Sequence, residues 1–315
     1  MVTANRPFIS EQEFDRLFES LKNWGQWGDK DEKGTLNFIT AEKIKAAAAL
    51  VKIGKSVSMS IPINKEAAPD NAHPAIHYMA STHDINLGSR HQGYATDFLG
   101  MQFHGDCHTH IDALCHISYK GMLYNEIPAS RVNSTGAECL DVSSYAHGII
   151  SRGVLIDVPR FRGVKWLEPG EAVTAEEIEA VEKAENIRME QGDIMVFRTG
   201  QYRRRLEKGP WNVGVKGEGR AGLDPYCMTL LHERKVAGFL PEGDGEVIPS
   251  YVEGMRSPIH ALQIPAMGMF CADSLQLEEL AAICEKENRF EFMVTIAPLR
   301  LPGGTGCPFN PIAVF

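Results

Sequence analysis

Four short apolar runs, SRGVLIDVPR, GDIMVFRTG, KVAGFLPE and FEFMVTIAPL, constrain the fold of this 315-residue chain more than any other feature. Each is bounded by charged or turn-forming residues and is too short for a buried helix, so each predicts a buried strand. Between the first two lies TAEEIEAVEKAENI, a helix whose Thr174 and Glu177 have capping-box spacing. SLQLEELAAICEKEN predicts another helix ahead of the last run. Strands and helices drawn from all parts of the chain imply a mixed fold, α/β or α+β.

Two helices open the chain. The first begins at ISEQEFDRLFESL, where Ser10 and Glu13 form a capping box and Phe14, Leu17, Phe18 and Leu21 share one face. The second, TAEKIKAAAALVKIG, is capped by Thr40 and is expected to run to near Gly54. VSMSIPI alternates as a strand does. Residues 65 to 95 are polar and aperiodic, which predicts a long loop. With no internal repeat, low-complexity tract or linker, residues 1–315 are expected to form one domain, with 1–55 a helical arm packed on it.

The formal net charge of −9 argues against nucleic acid or an anionic membrane as partner. No charge-free apolar stretch is long enough to span a bilayer. MVTANRPFISEQEF lacks the apolar run of a secretory leader. Seven scattered cysteines suit free thiols in a reducing compartment. A cytoplasmic protein acting on a small molecule is expected.

The chemistry concentrates in FHGDCHTHIDALCH, residues 103–116, which holds four of the chain's 11 histidines. If residues 104 to 112 were extended, His104, Asp106, His108, His110 and Asp112 would share one face. His104 and Asp112 would then lie about 26 Å apart. Bonds to a metal ion are only about 2.0–2.2 Å for nitrogen or oxygen donors, so at most three of the five converge unless the backbone loops. Imidazole and carboxylate together suit Zn²⁺ or Mn²⁺, with completion from elsewhere in the chain. The best distant donors lie in SPIHALQIPAMGMFCADSLQLEEL. His260 precedes one apolar stretch there, and Asp273 follows another, where an unpartnered charge is costly. His73, His77, His83, His91, His147 and His232 read as structural histidines. Cys107 and Cys115 sit beside histidines, but adjacency in sequence is not nucleophile–base geometry. No P-loop, G-x-S-x-G or HExxH pattern occurs.

THIDALCH resembles the core of the H-x-G-T-H-x-D-x-P-x-H motif of the metal-dependent cyclase family, which includes bacterial kynurenine formamidase and isatin hydrolase. Thr109, His110, Asp112 and His116 match. Asp106 stands where the motif has its first histidine, His108 replaces its glycine and Leu114 its proline. NWGQWGDKDEKGTLN, SRGVLIDVP, GDIMVFRTG, SPIHALQIPAMGMFCADSLQLEEL and APLRLPGGTGCPFNPIAVF also look like segments of longer members. The resemblance spans roughly residues 20 to 315. It implies an α/β, swivelling β/β/α cyclase-like fold and a homodimer or homotetramer.

By that resemblance His110, Asp112, His260 and Asp273 are metal ligands, with Asp106 in the first histidine's place and His104 or His108 as alternatives. His116 is the implied catalytic acid–base residue. Trp24, Trp27 and Phe103 are expected to wall the substrate pocket. The implied activity is hydrolysis of an amide, cyclic amide, imide or lactone, in which the ion lowers the pKa of a bound water to about 7. A metal-assisted cyclisation or lyase reaction, and a metal-binding inactive relative, are the alternatives.

Overall fold

A nine-stranded mixed sheet organises the chain. Its strands are β1 (Ser56–Ser58), β2 (His110–Asp112), β3 (Ile149–Asp157), β4 (Ile194–Arg198) and β5 (Gly238–Pro241). The last four are β6 (Phe270–Asp273), β7 (Glu291–Ile296), β8 (Gly306–Pro308) and β9 (Ile312–Val314). The structure, a computed structural model, describes residues 8–84, 92–214 and 218–315.

The strands lie in the order β1-β9-β7-β3-β4-β5-β6-β2-β8. The central four, β3 to β6, are parallel, and the remaining pairs are antiparallel. Three of the apolar runs supply β3, β4 and β5. The fourth, β7, alternates between buried and half-buried positions, as an antiparallel strand with one face on the core does.

Alternation along the central strands feeds two cores. Val154, Ile156, Met195 and Phe197 turn to one face, where they meet Phe14, Leu17 and Phe18 of α1 (Glu11–Ser20). Leu155 and Val196 turn to the other, against Phe292, Val294, Leu280 and Cys284. Among the described residues no helix is long and apolar enough to cross a membrane.

Local signals read from the sequence hold in part. The Ser10–Glu13 capping box is present. Thr174 accepts from the Glu177 amide at the start of α3 (Ala175–Glu185), but Glu177 does not return the bond, because its carboxylate takes the Arg162 guanidinium at 2.6 and 2.7 Å. Helix α2 (Ala41–Ala48) stops well before Gly54. The amides of Ile53, Gly54 and Lys55 instead donate to the Phe315 carbonyl, which turns the chain into β1 beside β9.

The expected loop over 65 to 95 contains the first strand of a hairpin in which Ile76–Ser81 pairs with Thr96–Gly100. Neither strand has a buried residue, so no apolar alternation marks it. His91 lies outside the described residues.

Candidate metal centre

The centre is built on the antiparallel pair β2 and β6. Ile111 and Ala272 are opposite each other and point into the core. Alternation then sends His110, Asp112, Cys271 and Asp273 to the other face. The register sets Asp112 against Cys271 and His110 against Asp273. Thr109 ties the strands together: its hydroxyl donates to the Ser274 carbonyl at 2.6 Å and accepts from the Ile61 amide at 2.8 Å. The His110 ring donates from Nδ1 to the His108 carbonyl at 2.8 Å, which leaves the lone pair of Nε2 to face the centre when the ring is neutral.

Residues 104 to 108 are bent rather than extended. The bend brings the His104 Nδ1 to 3.0 Å from the Asp112 Oδ1, instead of the roughly 26 Å of a straight strand. Gly306, across from Asp112 on β8, clears the space for that ring. A Cβ there would lie 2.3 Å from the Ile111 carbonyl oxygen and 3.1 Å from the His104 Cε1.

His260 enters on the short helical turn Pro258–Ala261. Its Nε2 is 3.1 Å from the Asp273 Oδ2 and 4.0 Å from the Asp112 Oδ2. Glu246 holds the other side of the ring, its Oε1 accepting from Nδ1 and from the His260 amide at 2.9 Å each. His116 stacks on His104 with centroids 3.9 Å apart, and its Nε2 is 3.8 Å from the Asp112 Oδ2. Its side chain is 25% exposed, which leaves it reachable from solvent.

Two sets of donors therefore meet on Asp112. His104, His110 and Asp112 form one, and Asp112, His260, Cys271 and Asp273 the other, with ligand atoms within 4.8 Å of one another in each. Both Asp112 oxygens and the His104 Nδ1 are buried without an aligned hydrogen-bond partner. Buried carboxylates lacking a partner are costly, and a divalent cation satisfies them. The donor set fits such an ion.

The electrostatics agree with the geometry. Burial alone would raise the Asp112 carboxyl, but the surrounding imidazoles of His116, His104 and His110 hold it well below the usual range. Burial pushes the His116 pKa down to about 4 against the pull of Asp112, so its ring is neutral near pH 7. Burial opposes charging of His260, yet Asp273 raises it well above the ordinary imidazole value.

The structure separates the remaining predicted residues. Asp106 belongs to neither donor set and pairs with the Arg220 guanidinium at 2.5 Å, while His104 lies beside Asp112. His108 is buried with both ring nitrogens unpartnered and belongs to neither donor set. Phe103 does border the site, 4.5 Å from the His104 ring. Trp24 does not wall it: its indole donates to the Pro265 carbonyl and packs edge-on against Phe18. Trp27 packs edge-on against Phe38. The space beside His104 is a polar cavity of about 230 Å³, lined by Asp70, His73, Gln102, Asp106 and His108 among others. Cys107 and Cys115 are buried thiols, pushed up to about 12 by burial, and so are not nucleophiles.

Four residues of the site escape the sequence pattern: Cys271, Glu246, Asp244 and Arg220. The signal for two of them was the loop Glu242-Gly-Asp-Gly-Glu246, whose three acids, two buried and one half-buried, each have a separate partner. Glu242 accepts the amides of Thr199, Gly200 and Gln201, Asp244 pairs with Arg220 at 3.1 Å, and Glu246 holds His260.

The family model described as "Putative cyclase" matches residues 57–243. The crystal structure of a novel cyclase is 31% identical, with TM-score 0.83 over 95% of this chain and 99% of that one. Isatin hydrolase A from Ralstonia solanacearum is 20% identical, with TM-score 0.59 over 88% of this chain and 98% of its own. Isatin hydrolase A from Labrenzia aggregata is 18% identical, with TM-score 0.57 over 85% and 94%. No curated protein matches by sequence. The mixed sheet, the extent of the family match and the relative at 31% identity lead to one conclusion: this chain belongs to the cyclase family.

Proposed function

We propose that this protein is a metal-dependent hydrolase that opens the C–N or C–O bond of an amide, cyclic amide, imide or lactone. The observation that carries the reading is the meeting of two donor sets on the buried Asp112, one with His104 and His110 and the other with His260 and Asp273. Likeness in fold to the isatin hydrolases supports it. A divalent ion, Zn²⁺ or Mn²⁺, held by these residues would supply Lewis acidity for activating water and polarising a carbonyl.

The chain's own residues do the rest. His116 is neutral near pH 7 and partly exposed, so its free ring nitrogen accepts a proton from the attacking water and returns it to the leaving nitrogen or oxygen. Stacking on His104 fixes the ring, and the Asp112 carboxylate 3.8 Å away favours its charged form. The polar cavity beside His104 receives the substrate, with Phe103 offering an apolar surface beside the His104 ring.

The test is a screen of formamides, cyclic imides and lactones with and without chelator, repeated on His116→Ala. Turnover by wild type should vanish with chelator. His116→Ala should keep its metal and lose about 10²- to 10⁴-fold in turnover. Equal turnover by His116→Ala, or full activity in chelator, overturns the mechanism.

A further inference from the structure

The donor set formed by Asp112, His260, Cys271 and Asp273 contains a sulfur beside harder nitrogen and oxygen atoms. Cys271 is fully buried, opposite Asp112 on the β6–β2 ladder and two residues from Asp273 on the same face. Its Sγ lies 3.0 Å from the Asp273 Oδ1 and 3.9 Å from the His260 Nε2. The His260 Nε2 is 3.1 Å from Asp273 and 4.0 Å from Asp112. A tetrahedral zinc site with bonds of about 2.0–2.1 Å to nitrogen or oxygen and 2.3 Å to sulfur has ligand separations of about 3.4–3.6 Å. The observed spacings bracket that value within a few tenths of an ångström.

A second observation is independent of the cysteine. Both oxygens of Asp112 are buried and without an aligned donor, although the side chain is 1% exposed. A structural thiol in this position needs no such unsatisfied carboxylate beside it.

We propose that Cys271 is a metal ligand, and that its sulfur makes this position prefer Zn²⁺ over Mn²⁺. The inference rests on the reading above that the cluster binds a divalent ion, and adds which residue completes one position and which ion it selects. Thiolate favours zinc, whereas carboxylate and water alone suit manganese. The thiol proton, now directed at Asp273, leaves to solvent as the sulfur binds.

Cobalt(II) is the probe, because a thiolate bound to it produces a near-ultraviolet charge-transfer band that oxygen and nitrogen ligands do not. Wild-type protein loaded with cobalt should show the band, growing in proportion to bound metal. Cys271→Ser and Cys271→Ala should lose it, whereas Cys115→Ser should keep it. The ratio of zinc to manganese affinity should fall at least tenfold in Cys271→Ser. If wild type binds cobalt without the band, or Cys115→Ser loses it, the role of Cys271 is wrong while the hydrolase reading stands. If folded wild type binds no cobalt, both fail. The wild-type spectrum decides the point even where a variant does not fold.

Discussion

Replacing Glu246 by alanine removes three acceptor contacts at once. The carboxylate takes the His260 ring at Nδ1, the His260 amide and, through Oε2, the Ile259 amide at 3.1 Å. The ring contact keeps a proton on Nδ1, so that Nε2, which points at Asp112 and Asp273, is the nitrogen that would give up its proton to bind a metal ion. A carboxylate behind a ligating histidine orients it and raises its basicity, and its loss costs about 10- to 100-fold in metal affinity. That corresponds to about 1.4–2.8 kcal/mol of binding free energy. Each buried donor left alone costs about 1–3 kcal/mol of stability as well, so the variant should unfold at lower urea. Glu246→Gln keeps an oxygen for the ring but presents an amide group to Ile259, and should stay within about tenfold of wild type. Zinc affinity by competition with a chromophoric chelator, on protein verified as folded by circular dichroism, reads the effect. Folded Glu246→Ala with wild-type zinc affinity would refute the reasoning.

Two further outcomes follow from the charges around the centre. Arg220→Met strands the Asp106 and Asp244 carboxylates, which the 2% exposed guanidinium now bridges, and should cost about 3 kcal/mol in urea unfolding. A loss below about 1 kcal/mol would show that the bridge is not a stabilising contact. The folded His116 pKa of about 4 lies below the roughly 6.5 of an unfolded imidazole. Between those values the unfolded chain binds more protons, so metal-free protein loses stability as pH falls from about 6.5 towards 4. Thermal unfolding of EDTA-treated protein at pH 7 and pH 5 should show a smaller drop for His116→Gln than for wild type, and equal drops would contradict the assignment.

Much of the sheet is legible in the sequence because its centre is buried on both faces. SRGVLIDVPR, GDIMVFRTG and KVAGFLPE carry unbroken apolar runs, and these became β3, β4 and β5. The hairpin Ile76–Ser81 with Thr96–Gly100 is not legible, since neither strand buries a face and no periodicity arises. The end of α2 is set by a carbonyl at the far end of the chain, which local pattern does not contain. At the centre, density and spacing single out His110 and Asp112, the family resemblance adds His116, and the cost of an acid after MGMFCA singles out Asp273. Asp106 was the natural choice by motif position. A bend over residues 104 to 108 sets His104 beside Asp112 instead, and a buried arginine more than 100 residues away pairs with Asp106. Cys271 and Glu246 become visible only once the β2–β6 register and the turn bearing His260 are known.

Crystals grown with zinc, with an anomalous-scattering map recorded at the zinc edge, test the centre most directly. The account predicts a peak within about 2.3 Å of the Asp112 carboxylate, bounded by donors from β2, β6 and the His260 turn. Ordered, wild-type protein with no peak there, or with zinc held only at other residues, would contradict it.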